Sequence, residues 1–306
     1  MRKGIVIFAD ADDENAQFLF NQAKSLSANP IFIDTKKLAL SYDLYIDLEN
    51  QDIKFLHTNA KKFNFFVRAV NLIPLNPFSF SSSQKYNEYR NYYSLMFSFL
   101  ETLKSEGLKV VNPPSTFWCH YFKPYTYYLA QKVGLKIPTT IITPSFRQIY
   151  KTYKIFLNQK QKLIIKPIAG GETVKELNEE TLEKIKLSTT VYILQEKIQG
   201  TNIRIFTLGN KFLCAFSIEY DTNKSIDYRD LNPKELKIKT TKVSNEIKKL
   251  SLKLAKEIGL LFSGIDFIVK NNDYYFLDIN PAPMFAGFEF HSSFPISQKI
   301  IEYLSN

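Results

Sequence analysis

The stretch "GIDFIVKNNDYYFLDINPAP" (residues 264–283) decides how this chain is read. It holds two runs of aliphatic and aromatic residues separated by "NND" (271–273), the pattern of a buried hairpin with its turn there. Against that apolar background stand Asp266 on the first strand, and Asp278 and Asn280 on the second. Residues i and i+2 of a strand share a face. A turn near 271–273 is equidistant from 266 and 278, so the two carboxylates can meet across the ladder. A single buried Asp more often caps a turn or pairs with an Arg. Two carboxylates and an amide oxygen in phase instead form a hard oxygen cluster, which suits Mg²⁺ with phosphate oxygens completing the shell. Pro281-Ala282-Pro283 ends the strand.

Working outward, "LIIKPIAGGET" puts Lys166 at the end of an apolar strand beside Gly170 and Gly171. Such a loop can turn backbone N–H groups toward phosphate while the lysine adds a fixed charge, although Gly-Gly loops are common between ordinary elements. It is not a Walker loop, since Gly-Lys-Ser/Thr is missing. "YILQEKIQG" offers an edge backbone at Glu196, Lys197 and Ile198, which suits either a base edge or an ordinary strand end. "TNIRIF" places Asn202 and Arg204 on one strand face. "IDYRD" (226–230) sets Arg229 in a polar loop between a strand and a helix, where an arginine is usually solvated.

Toward the amino terminus, "KGIVIFAD", "PIFID" (30–34) and "FNFFVRAV" (63–70) read as strands. A helix over "ADDENAQFLFNQAKSL" follows the first, which suggests an open α/β domain with a mostly parallel sheet. The first turn lacks Gly-x-Gly-x-x-Gly, so a dinucleotide has no fingerprint there. "FSFSSSQ" (78–84) reads as a connector, and "KYNEYRNYYSLMFSFLETLKSEG" as a long helix ending at Gly107. "LKVVNPPS" reads as a strand running into a boundary at Pro113-Pro114. Beyond it, "TFWCHYFKPYTYYLAQKVGLKIPTTIIT" reads as helix, turn and strand. "QKLIIKPIAGGETVKEL" reads as strand, loop and helix start. "VYILQEKIQG", "TNIRIFTLG" and "NKFLCAFSIEY" read as three strands in one antiparallel run. "VSNEIKKLSLKLAKEIGL" and "PISQKIIEYLSN" read as helices.

The 306 residues suffice for two or three small domains and an ample core. A formal charge of +10 favours acidic partners, but the basic residues are dispersed, which argues against nucleic acid. No run approaches a membrane span. Two cysteines, Cys119 and Cys214, without metal spacing fit a reduced, cytoplasmic setting. The histidines, His57, His120 and His291, share no spacing that suggests a site. A homo-oligomer is compatible with all of this.

Taken in order, "FKPYTYYLAQKVGLKIPTTIIT", "LIIKPIAGGET", "YILQEKIQGTNIRIF" and "GIDFIVKNNDYYFLDINPAP" resemble the ATP-grasp superfamily over roughly residues 112–306. The resemblance implies an α/β class with α+β lobes: an amino-terminal domain (1–114), a central lobe (115–190) and a carboxy-terminal lobe with the metal site (191–306). It implies ATP, with Mg²⁺ and Mn²⁺ as a compatible substitute. Lys123 and Lys166 look like the nucleotide-binding lysines, Glu196 to Ile198 like the adenine hinge, and Asp266, Asp278 and Asn280 like the metal ligands. Asn202 stands where a ribose-binding acid is common, and Asp278 where Glu is usual. The amino-terminal third, with "FIDTKKL", "FFVRAV", "NEYRNYYSLMFSFLETL" and "VVNPP", resembles graspetide (microviridin-type) peptide ligases and the related glutamate-adding ligases. "DYRD" is similar to a short substrate-site motif of those enzymes, whereas "INPAPMFAGFEF" departs from their usual ending. The implied activity is ATP-dependent ligation of a carboxylate, through an acyl phosphate, to an amine or hydroxyl. Arg204 or Arg229 would stabilise the acyl phosphate or dock the acid by a bidentate contact, the acid being an acidic peptide or amino-acid-like substrate. A regulatory module that holds nucleotide without turnover is the alternative.

Overall fold

The computed structural model describes residues 3–35, 44–68, 81–168 and 174–306. β1 (Gly4–Ala9) is almost wholly buried because both faces of its sheet are covered. β1 pairs in parallel with β2 (Ile31–Asp34) and β6 (Phe63–Val67), and β6 pairs in parallel with β7 (Val110–Val111). The expected parallel sheet is therefore present. One face is covered by α1 (Glu14–Ser25), which begins where the Asp13 carboxylate accepts from Ala16 N–H at 2.9 Å. The other face is covered by α2 (Ser83–Ser105), which buries Met96, Phe99, Leu100 and Leu103 at helical spacing, worth roughly 1.5–3 kcal/mol each. Ser82 caps α2 through Lys85 N–H at 3.2 Å. The serine tract therefore starts the helix, and residues 78–80 of the expected connector lie outside the described residues. A small antiparallel sheet of β3 (Leu44–Asp47), β4 (Asp52–Phe55) and β5 (Thr58–Asn59) packs Ile53 and Phe55 into the α2 core.

The segment read as one helix after Pro114 is two. α3 (Trp118–Tyr121) stops at Phe122, and α4 (Lys123–Val133) starts beyond it with Pro124 in its first turn. Proline cannot continue α3, so the break makes Lys123 the first residue of a new helix. A four-stranded sheet in the order β10-β9-β11-β8 follows. It contains β8 (Thr140–Thr143), β9 (Leu163–Pro167), β10 (Lys175–Glu176) and β11 (Tyr192–Glu196), with α5 (Phe146–Asn158) and α6 (Glu179–Ile185) on its outer face. α5 buries Ile149, Thr152 and Phe156 at i, i+3 and i+7.

Two readings need correction here. "VKEL" is not a helix start: Lys175 and Glu176 pair with Ile165 and Ile164, and the helix waits for the Asn178 cap. Nor does β11 continue the next antiparallel run. It lies between β8 and β9, so a lobe boundary at 190 would cut this sheet.

The third unit is a five-stranded antiparallel sheet, β14-β13-β12-β15-β16. Its strands are β12 (Thr201–Leu208), β13 (Lys211–Glu219), β14 (Lys237–Thr240), β15 (Phe262–Lys270) and β16 (Asp273–Asn280). α7 (Asn245–Ile258) packs on it through Leu254, Ala255 and Ile258. β13 is followed by β14, so "DYRD" joins two strands rather than a strand and a helix. After the short α8 (Ala286–Ser292), α9 (Ile296–Ser305) leaves this lobe and packs on the first sheet beside α1. Asn64 Nδ2 donates to Leu304 O at 2.6 Å, and Lys109 Nζ to Tyr303 O at 2.7 Å. Asn112 adds a second clamp: its Oδ1 accepts from Leu261 N (2.7 Å) and Phe262 N (2.9 Å), while its Nδ2 donates to Phe262 O and Pro281 O.

Candidate functional site

The 264–283 hairpin forms one wall of a cavity of about 620 Å³ between the last two sheets. Its turn has two residues, Asn271 and Asn272, with φ of 52° and 68°, the left-handed pair of a type I′ turn. That turn alone would set Asp266 opposite Leu277. A bulge at Leu277 adds one residue, so Asp266 faces Asp278 after all and Leu277 joins it in the cavity wall. The expected pair therefore forms, but from a shorter turn plus a bulge rather than a three-residue turn.

On the neighbouring strand Arg204 pairs with Asp266, so Arg204, Asp266 and Asp278 form one row across β12, β15 and β16. Asn280 lies in the next row on the same face, opposite Gly264, and is not in the wall of this cavity. Gly264 is required there: a Cβ would lie 2.6 Å from Pro283 Cβ and 2.7 Å from Arg204 Nη1. The facing wall comes from the four-stranded sheet, where Ile164 and Lys166 of β9, with Lys162 just before it, share one face and Gln195 stands opposite Ile164. Glu196 to Gly200, the link between the lobes, closes one end, and residues of the β13–β14 connection close another.

Both carboxylates have cationic partners. Arg204 donates to both oxygens of Asp266, at 2.5 and 3.0 Å, and to Tyr228 Oη at 3.2 Å. Lys123 Nζ lies 2.5 Å from Asp278 Oδ1, which also accepts from Ile279 N at 2.8 Å. Burial pushes the Asp266 carboxyl up, with Arg204 opposing and Asp278 adding to the shift. Burial would also raise Asp278, but the charge and hydrogen bond of Lys123, with the charge of Lys166, hold it below its ordinary value. Burial, with the Asp266 charge, pushes the Tyr228 phenol up to about 12, against Arg204. Lys166 Nζ donates to Tyr127 Oη at 2.9 Å, and Tyr127 Oη to Leu277 O at 3.0 Å.

These donors fit a divalent cation shared with phosphate. Asp266 and Asp278 are both about one-fifth exposed. Among the described residues no three His, Cys, Asp or Glu side chains converge. Two carboxylates cannot fill a six-oxygen shell, so the remaining oxygens must come from ligand, water or Asn280, the mode in which Mg²⁺ usually binds.

Of the remaining expected residues, Lys166, Glu196, Lys197, Ile198 and Asn202 line the cavity. Lys123 lies behind Asp278, and Gly170 and Gly171 fall outside the described residues. Lys197 Nζ is held by Glu176 at 2.7 Å, and Asn202 Nδ2 lies 3.4 Å from Tyr220 Oη. Arg229 is not in a free loop: it follows Asp227 in a 3₁₀ turn, and its guanidinium grips the Asp227 carboxylate through Nε at 2.9 and 3.0 Å. Sequence reading missed Gln195, Ile164, Ile268, Leu277 and Tyr228 in the wall. Strand alternation from Lys166 and Asp266 points to Ile164 and Ile268, whereas the bulge hides Leu277.

Residues 125–304 match a protein-family model described as the RimK-like ATP-grasp domain. Among curated relatives, the tetrahydromethanopterin:alpha-L-glutamate ligase of Methanocaldococcus jannaschii is 22% identical over 210 residues, 64% of this chain and 69% of that protein. The glutamate–LysW ligase ArgX of Sulfolobus acidocaldarius is 23% identical over 285 residues, 86% and 97% of the two chains. Among solved structures, the ATP-grasp ligase PsnB complexed with a minimal precursor superposes with a TM-score of 0.83 at 22% identity, covering 99% of this chain and 98% of that one. The macrocyclase MdnC of Microcystis aeruginosa, bound with precursor peptide MdnA, gives 0.74 at 18% identity, covering 99% of each. At such identities the structural likeness speaks for the fold.

Proposed function

The chain belongs to the RimK-like ATP-grasp family, and from that premise we propose that it joins a carboxylate of a peptide or amino-acid-like acid to an amine or hydroxyl, using ATP. The family's reaction supplies the order of events. A substrate carboxylate oxygen attacks the γ-phosphorus, the bond to the β-phosphate oxygen breaks, and ADP leaves. The nucleophile then adds to the acyl carbon and phosphate departs with the C–O bond electrons. Free carboxylates react with amines too slowly to be useful, so catalysis lies in positioning and charge neutralisation.

The observation that carries this reading is the Asp266–Asp278 pair facing Lys166 across one cavity, with Arg204 buried against Asp266 outside the lining. Asp266 and Asp278, with Asn280 nearby, would hold Mg²⁺, which neutralises the phosphate charge when bound. Lys166 and Lys123 would bind phosphate oxygens, and Gly170 and Gly171 would join them. Glu196 to Ile198 would meet the base; among the described residues the Ile198 N–H has no backbone partner. Asn202 would face the ribose. Arg229, which lines the cavity, would dock the substrate acid by turning from Asp227, while Arg204, outside the lining, would hold Asp266 in place.

The charge of +10 suits an acidic peptide substrate. No helix among the described residues is long and apolar enough to cross a membrane, and buried, free Cys119 and Cys214 support a reducing, cytoplasmic setting. The central lobe runs through β11, with its junction in the 197–200 link. ADP formation with Mg·ATP, screened against acidic peptides and amino-acid-like acids, tests the proposal. ADP should appear together with a condensed product; failure of the chain to bind ATP in calorimetry removes the reading.

A further inference from the structure

α4 turns Lys123 and Tyr127 onto one face, at i and i+4, and the two reach consecutive residues of β16. Lys123 meets the Asp278 carboxylate. Tyr127 Oη meets the carbonyl of Leu277, the bulge residue that has no partner in the register with β15. The polarity of the phenol is forced. A carbonyl can only accept, so Tyr127 gives its one proton to Leu277 O at 3.0 Å. An ammonium can only donate, so the same oxygen accepts from Lys166 Nζ at 2.9 Å. The ring is buried and packs edge-to-face on Phe276, with centroids 5.9 Å apart, which leaves the oxygen little freedom. Tyr127 stands outside the cavity lining, whereas Lys166 and Leu277 belong to it, one from each sheet. The phenol thus ties the two walls together from behind, and it uses one of the three ammonium protons of Lys166, leaving two for a ligand.

We propose that Tyr127 is a positioning residue: anchored on the Leu277 carbonyl, it holds the Lys166 ammonium in place for phosphate before nucleotide arrives. A lysine has a flexible four-carbon stem, and ordering it only on binding would weaken affinity. The proposal rests on the nucleotide site proposed above and adds to it a residue that does not touch the nucleotide.

Calorimetry with Mg·ATP on the full chain tests it in four forms: unmodified, Tyr127→Phe, Lys166→Met and the double variant. Tyr127→Phe keeps the ring and should weaken ATP binding about tenfold, the loss of one hydrogen bond to a charged group. Added to Lys166→Met, the same change should cost less than about twofold, because no ammonium is left to orient. A tyrosine that served packing alone would cost the same in both backgrounds. Equal losses in the two backgrounds, or no loss in Tyr127→Phe, overturn the proposal while leaving the ATP site standing. Should Tyr127→Phe not fold, ¹⁵N NMR of the lysine ammonium groups in the nucleotide-free, unmodified protein decides. A resonance that exchanges slowly with water and is lost in Lys166→Met supports the anchor; a Lys166 signal averaged with those of the exposed lysines overturns it. Undiminished ATP binding in Lys166→Met, or no ATP binding to the unmodified protein, defeats the assignment of Lys166 to the nucleotide and this proposal together.

Discussion

Replacing Asp278 separates what this carboxylate does for stability from what it does for chemistry. In Asp278→Ala the Lys123 ammonium, on a side chain only 9% exposed, loses the partner 2.5 Å away. Breaking a buried pair costs about 3–5 kcal/mol. Because the Asp278 side chain is 23% exposed, the lower end, about 3 kcal/mol, is expected. At about 2 °C per kcal/mol for a chain of this size, the melting temperature should fall by about 6 °C. Asp278→Asn keeps the volume and one acceptor for Lys123, so its loss should be nearer 1 kcal/mol. Both variants nevertheless lose the anionic oxygen proposed for the cation, and ADP formation should drop by at least about 10²-fold. Thermal melts and an ADP-release assay on the two variants read these effects independently. An Asn variant turning over like the unmodified protein would refute the metal assignment, and an Ala variant with an unchanged melt would refute the pairing of Lys123.

Other expectations follow from single contacts. Gly200→Ala places a Cβ 2.2 Å from the Val269 carbonyl oxygen; the link must shift, with a loss of about 1–3 kcal/mol and weaker ATP binding, read by melting and calorimetry. Asn112→Leu removes the clamp on Leu261, Phe262 and Pro281 and leaves buried backbone groups unpaired, so denaturant titration should show a loss of about 2–4 kcal/mol. Asp227 is raised by burial but brought below its ordinary 3.8 by the hydrogen bonds and charge of Arg229. Its contribution is thus present above that value and is lost as pH falls through the depressed folded pKa. In Arg229→Gln burial is no longer opposed by that guanidinium, so the variant should be less stable at neutral pH and its acid-linked loss smaller, visible in acid-unfolding curves.

How far the sequence leads depends on whether a feature is local. The parallel strands and the amphipathic α1, α2 and α7 follow from period and caps, and the bounds of β1 lie within the expected run. The Asp266–Asp278 pairing was legible from spacing, although its route was not. A bulge has no residue signature in "YYFLD", and two left-handed Asn residues shortened the turn. The placement of β11 was not legible, because an apolar strand is compatible with either sheet and the choice is made by partners distant in sequence. Similarly, nothing in "PISQKIIEYLSN" says that α9 will cover the first sheet rather than its own. Lys166 and Asp266 were visible as charges at apolar strand positions. Gln195 escaped notice because the register that sets it opposite Ile164 in the cavity wall comes from a partner strand distant in sequence.

The central claim is that two carboxylates on one hairpin hold a cation that in turn holds nucleotide. It is tested most directly by measuring the ATP affinity of the full chain by calorimetry with and without Mg²⁺, beside Asp278→Asn. The account expects Mg²⁺ to tighten ATP binding to the unmodified protein by tenfold or more, in order of magnitude, and to do little for the variant. ATP binding that is indifferent to Mg²⁺, or equally Mg²⁺-dependent in both proteins, would contradict it.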